Sequence, residues 1–430
     1  MSGPSKLLVD ITECQEALRT AKGRKRAALL EKMGDFNKDL GKLDAAIACY
    51  KDALLGGGWP DGLPDKYRKA LESMGKGDEV LEVFKTVLAS SNDLVDASRM
   101  KTELAFFHWR RGEHTKGKEY GEEAIALLRT IERSDPHAEQ AYADAHNVMG
   151  LIFWDLGDLS RAKEQIETVL ALATKRNDIT GIIRANNNIG LVLMSSGDLD
   201  GALKHYETGL AISKKSQQDS ASGPLINNIG LIRKMQGALD KAEEMFLEAK
   251  KLYLKKEDKM GINLCYVNLA AMFIDKGDLR QGRRMAEKAI LGFKASKDEG
   301  RKAFAFIILA RAAIAEGDLV RAGKLLDEAD TILNEVKAKE TQAELYQVMA
   351  ELALAKGQAD DAERFARKAL QLARETQLRF EIGRGLRMLA TALKAKGDIE
   401  AVRSAVKEAK GIFGPMGCRQ ELSKLDLLEK

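Results

Sequence analysis

The sequence predicts an all-α solenoid of about ten stacked helix pairs, and three observations predict it. First, ten glycines punctuate the chain at the interval of a helix pair: Gly41, Gly75, Gly112, Gly157, Gly197, Gly237, Gly277, Gly317, Gly357 and Gly397. From Gly157 onward their spacing is forty residues without a slip. Second, apolar and small residues recur around each glycine at helical offsets. Third, the 430 residues hold only six prolines, so little interrupts helix. A fixed period in this range marks a repeat architecture. Its units cannot bury an apolar face alone and bury it against their neighbours.

The elements follow in chain order. Leu7, Ile11, Cys14 and Leu18 form a stripe on an N-terminal capping helix, assigned to residues 1–24. The repeat array runs over 25–413. Within a unit, the positions eight, seven and four before the glycine carry one face of a first helix, as in Met149, Gly150 and Phe153, or Ile189, Gly190 and Leu193. The small middle residue lets another helix approach closely. Five, nine and twelve residues after the glycine lies one face of a second helix: Ala46, Tyr50, Ala53; Ala202, Tyr206, Gly209; Ala242, Phe246, Ala249. Glycine suits the left-handed end of the first helix. The Asp that follows it at 158, 198, 278, 318 and 398 suits the N-cap of the second. Gly56-Gly57-Gly58-Trp59-Pro60 falls between units and lacks the lysine and hydroxyl of a phosphate loop. The third unit is followed by a longer connection, Ile131 to Gln140. Gly414-Pro415 breaks the array, and Leu422, Leu425 and Leu428 mark a C-terminal capping helix in 414–430.

Several function classes find little support. The net charge of +4 is small for this length and gives no strong reason to expect nucleic acid or an anionic membrane. The basic run Lys22 to Arg26 reads as a solvated junction. The first ten residues lack an apolar signal core, and the longest apolar run, Ala303 to Ala310, is too short to span a bilayer and ends at Arg311. Neither export nor membrane insertion is expected; a cytoplasmic location is. Cys14, Cys49, Cys265 and Cys418 lack metal-ligand or redox spacing and read as small core residues in a reducing compartment. His108, His114, His137, His146 and His205 have no partner at zinc-site spacing, and no nucleophile or kinase motif occurs. No catalytic activity, metal or cofactor is expected.

On these small, glycine, alanine and aromatic positions the chain resembles the tetratricopeptide repeat family, over about residues 25 to 413. Its period is similar to that of the longer-repeat branch: kinesin light chains, Pins-like adaptors, and the sensor arms of Rap-type and MalT-type regulators. Val80, Gly282 and Val402 depart from the pattern. The resemblance implies a right-handed superhelix whose first helices line a concave groove. It implies that the positions ten and nine before each glycine face that groove: Asn147 and Val148, Asn187 and Asn188, Asn227 and Asn228, Val267 and Asn268, Ile307 and Ile308, Gln347 and Val348, Arg387 and Met388.

Two features on this surface are candidate sites. Asparagine costs a helix up to roughly 0.7 kcal/mol per residue against alanine, so the ladder invites a compensating role. Its amides offer donors and an acceptor to a peptide backbone; in similar repeat proteins the place of Asn188, Asn228 and Asn268 does this. The alternative is that the amides stitch neighbouring helices, the reading preferred for Asn186. The second feature is an apolar patch of Phe304, Ile307, Ile308 and Ile314 beside Leu264, Val267 and Ile274, expected to face the groove and to mark a binding surface; tighter coiling or the C-terminal helix is the alternative cover. Arg184 precedes the ladder, but Leu191 and Leu264 stand where a carboxylate clamp needs polar groups. The expected function is a non-catalytic adaptor or scaffold that binds an extended peptide or protein segment, with self-association left open. The alternative is a peptide- or ligand-sensing regulator whose superhelix changes curvature. RNA binding ranks behind both, for want of a basic stripe.

Overall fold

A computed structural model describes residues 4–60, 62–74, 76–77, 79–131, 136–216, 219–336 and 338–429. It holds 22 helices and, among the described residues, no strand. A single helix, α1 (Pro4–Leu18), precedes ten pairs. The first three are α2 (Gly23–Asp39) with α3 (Leu43–Leu55), α4 (Leu63–Ser73) with α5 (Glu79–Ser90), and α6 (Leu94–Arg110) with α7 (His114–Arg129). Next come α8 (Pro136–Asp155) with α9 (Leu159–Lys175), α10 (Ile179–Ser196) with α11 (Leu199–Lys215), and α12 (Asp219–Met235) with α13 (Leu239–Lys255). The last four are α14 (Lys259–Lys276) with α15 (Leu279–Ala295), α16 (Glu299–Glu316) with α17 (Leu319–Val336), α18 (Lys339–Ala355) with α19 (Ala359–Glu375), and α20 (Arg379–Lys396) with α21 (Ile399–Phe413). A single helix, α22 (Arg419–Leu428), follows.

The turn chemistry is as the sequence predicts. Nine of the ten period glycines have φ between 72° and 87°, the left-handed region; Gly75 lies outside the described residues. The five aspartates that follow them accept hydrogen bonds from the backbone N–H of Arg161, Gly201, Gln281, Arg321 and Ala401, three residues on. A second turn, between pairs, was not anticipated. There Asn177, Glu257, Lys297 and Gln377 hold φ of 54–56°. Asp178, Asp258 and Asp298 then cap the next first helix.

Small residues on the first helices admit the aromatic of the second helix of the same pair. A Cβ on Gly34 would strike Tyr50, one on Gly190 would strike Tyr206, and one on Gly230 would lie 2.8 Å from Phe246. Tyr50, Tyr206 and Phe246 are fully buried in consequence.

The chain forms two compact units, residues 1–152 and 153–430. The first is built on a core of Tyr50, Trp59, Tyr67, Phe84 and Leu104. In the second, the C-terminal end of the unit comes round to its own beginning. A Cβ on Gly157 would lie 3.3 Å from the Glu375 carbonyl oxygen, one on Gly197 3.3 Å from Arg379 and 3.4 Å from the Met416 sulfur, and one on Gly237 3.1 Å from Gln420. At Gly277, Gly317, Gly357 and Gly397 nothing stands within 4 Å. One apolar core joins Ile183, Leu225 and Ile232 to Leu389, Phe413, Met416 and Leu425 across this seam.

Candidate ligand-binding cavity

The first helices of the second unit converge on a cavity of about 160 Å³. Leu231, Lys234 and Met235 reach it from α12, and Asn268, Ala271 and Asp275 from α14. Phe304, Ile308 and Arg311 come from α16, Glu344 from α18, Phe380, Glu381, Arg384 and Arg387 from α20, and Gln420, Glu421 and Lys424 from α22. One wall is apolar; the rest is charged with both signs.

The charges form a linked set. Asp275 pairs with Arg311 at 3.1 Å and with Lys234 at 3.4 Å. Arg384 pairs with Glu344 at 3.1 Å and Glu381 at 3.3 Å. Glu381 also accepts a hydrogen bond from Gln347 at 3.0 Å. Glu421 accepts from Arg387 and Lys424, each at 2.7 Å. Burial works to raise the Asp275 carboxyl, but Lys234, Arg311 and Arg384 overcome it and hold the group well below the usual carboxylate range. Burial opposes the charge of Arg384 too, and Glu381, Glu344 and Glu421 outweigh it, so its guanidinium stays charged. Such a set binds charged or zwitterionic groups only by exchanging partners, which makes it selective.

The asparagines bond to one another. Asn268 donates to Asn227 at 2.8 Å, Asn227 to Asn228 at 3.4 Å, Asn228 to Asn187 at 3.0 Å and Asn187 to Asn188 at 3.2 Å. This chain of amides crosses α10, α12 and α14 and engages the side-chain oxygens of Asn187, Asn188, Asn227 and Asn228. Asn186 bonds the Ile182 carbonyl and His205, the packing role expected for it. Of the expected site residues, Asn268, Phe304 and Ile308 line the cavity. Arg184 is exposed on α10, and Asn147 stands half-buried on the part of α8 that belongs to the first unit.

The expectation of an exposed apolar patch is corrected. Ile307 is 0 % exposed and packs among Leu345, Val348 and Leu326; Ile308 is 1 % exposed, beside Ala271 and Leu309. Neighbouring first helices approach closely enough to cover both. The sequence reading passed over Asp275, Glu344, Arg384 and Glu421. One signal was present: Arg311 stands between Ala310 and Ala312, both fully buried, so a cation inside an apolar helix face called for partners.

All four cysteines are buried free thiols. Among the described residues no cluster of three or more potential metal ligands occurs, and no helix is long and apolar enough to cross a membrane.

Sequence comparison places a MalT-like TPR region over residues 222–420 and tetratricopeptide repeats over 181–255, 27–55 and 143–176. Among solved structures, the chain is similar to the apo form of the quorum sensor NprR from B. thuringiensis: 13% identity, a TM-score of 0.52, and coverage of 87% of this chain and 99% of that one. The apo form of RapI matches at 15% identity over 72% of this chain and 98% of its own, with a TM-score of 0.48. A Rap protein complexed with competence and sporulation factor matches at 12% identity over 98% and 100%, with a TM-score of 0.45. At 13% identity the likeness to NprR shows the fold alone. Comparison with curated proteins gives no match.

Proposed function

Because the chain belongs to the tetratricopeptide repeat family, we propose that it is a non-catalytic binding protein that takes a peptide or protein segment on the inner face of its second unit. The observation that carries this reading is the cavity, where apolar Phe304 and Ile308 line a space of about 160 Å³ together with Asp275, Arg311 and Arg384. That volume suits one side chain or chain terminus, so the rest of a ligand would lie along the first helices. In this reading residues 25–413 are the array, and α1 and α22 cover its ends. Four buried, unpaired thiols support a reducing, cytoplasmic setting.

Selection of ligands from a random peptide library on the full chain tests the reading, with hydrogen exchange to map the contact. Protection should fall on α12, α14, α16 and α20. Protection confined to outer helix faces, or no selected peptide, sinks it. A second reading, a sensor that changes curvature, is favoured by the seam at Gly197 and Gly237, because a coil that touches itself has two distinct states, closed and open. Scattering separates the two: a sensor changes its radius of gyration on binding, and a rigid adaptor does not.

A further inference from the structure

The last helix is thinly held for the position it occupies. Of the ten residues of α22, only Glu421 and Leu425 are buried, whereas α16 buries nine of its residues. Leu427 is 63% exposed. Met416, Cys418 and Leu425 join the core, with Leu422 and Leu428 packed against it, and polar contacts hold the margins. Arg387 grips Glu421, Lys410 reaches Asp426 at 2.6 Å and Glu429 at 2.7 Å, and the Lys394 ammonium donates to the Leu427 and Leu428 carbonyls at 3.1 and 3.2 Å. The exposed Lys410 pairs contribute little each and weaken with salt, which leaves the largely buried Arg387–Glu421 pair as the stronger tie. Yet Gln420, Glu421 and Lys424 wall the cavity, and Met416 and Gln420 meet the turns at Gly197 and Gly237.

We propose that residues 414–429 form a hinged strap, which leaves the inner face as a unit while the helix pairs stay folded, opening both the cavity and the seam. The hinge lies where α21 ends: Pro415 cannot continue a helix and Gly417 holds φ at 67°. Local opening of a weakly anchored terminal element lies at the low end of a protein's stability range. Its regulatory consequence, admission of a ligand, rests on the binding reading above; the motion itself does not.

The unaltered protein carries the probes. Cys418 sits in the seam and Cys265 in α14, both 0 % exposed, and burial pushes both thiols up to about 12. Neither reacts until it is exposed. The full chain is pulsed with iodoacetamide, and each cysteine is quantified by peptide mass spectrometry. Cys418 should react about tenfold or more faster than Cys265, with a shallower urea dependence, and faster again in high salt. Glu421→Gln should raise the Cys418 rate and leave that of Cys265 unchanged. An oxidised Gly237→Cys/Gln420→Cys pair, whose Cβ atoms start 3.1 Å apart, should slow Cys418 to the Cys265 rate. Equal rates for the two native thiols, with equal urea dependence, overturn the strap, since α22 then leaves only when the unit unfolds. A peptide screen without ligands would leave the thiol result standing, and equal thiol rates would leave the binding reading standing.

Discussion

Asn228 donates its amide to Asn187 across α12 and α10 at 3.0 Å, while its own oxygen accepts from Asn227. It is therefore the central link of a chain that runs from Asn268 to Asn188. Asn228→Ala removes two bonds and strands an acceptor on Asn187 and a donor on Asn227, both at least partly buried. The expected loss is about 1–3 kcal/mol, seen as a lower melting temperature. An unchanged melting curve combined with lost peptide binding would return the ladder to a ligand-facing role.

The period glycines divide into two groups. Gly237 and Gly277 share a left-handed turn, with φ of 81° and 87°. Alanine at either meets the same backbone strain, about 1 kcal/mol. At Gly237 the added Cβ also meets Gln420 at 3.1 Å, whereas Gly277 faces open space. Gly237→Ala should thus lower stability more than Gly277→Ala, and only Gly237→Ala should expand the molecule in small-angle scattering. Equal effects would show that the seam contributes nothing.

What the sequence made legible was local. A left-handed turn favours glycine at a fixed place, so the turns within pairs wrote a forty-residue period into the chain. The turns between pairs did not: Asn177, Glu257, Lys297 and Gln377 adopt the same region with no shared side chain. The inward direction of Ile308 and Asn268 came with the family resemblance. Its consequence did not, because burial of Ile308 depends on how closely successive first helices approach. The cavity charges were hidden for a similar reason. Arg311 and Asp275 lie 36 residues apart and Arg384 and Glu344 lie 40 apart, each pair on neighbouring first helices whose stacking brings them within bonding distance.

Ile308 tests the apolar wall. It is 1 % exposed yet lines the cavity, so its side chain serves both packing and shape. Ile308→Ala should cost about 2–4 kcal/mol, the loss of a buried aliphatic side chain plus the space it leaves. Ile308→Val should cost about 1 kcal/mol and leave enough folded protein to measure binding. If Ile308→Ala melts with wild type, the wall is not packed as described.

Asp275 should contribute to the acid sensitivity of the second unit. Burial disfavours its charge, and Lys234, Arg311 and Arg384 more than reverse that, so the folded state holds the carboxyl well below its unfolded value near 4. A carboxylate depressed on folding stabilises the protein above its unfolded pKa, and that stability is lost as pH falls through the folded one. Unfolding free energy should therefore be flat in this group above about pH 5 and fall below about pH 4, where the unfolded chain takes up the proton first. Asp275→Asn keeps the shape and removes the charge. It takes the carboxylate from Lys234 and leaves Arg311 with Glu351 at 3.7 Å, and should cost about 3 kcal/mol at neutral pH. The cost should shrink as the pH drops below about 4, because proton uptake by Asp275 in the unfolded chain then offsets part of the wild type's advantage. Denaturant titrations of both proteins from pH 7 to pH 3 measure the gap, and a gap that stays constant with pH would remove Asp275 from the ionic set.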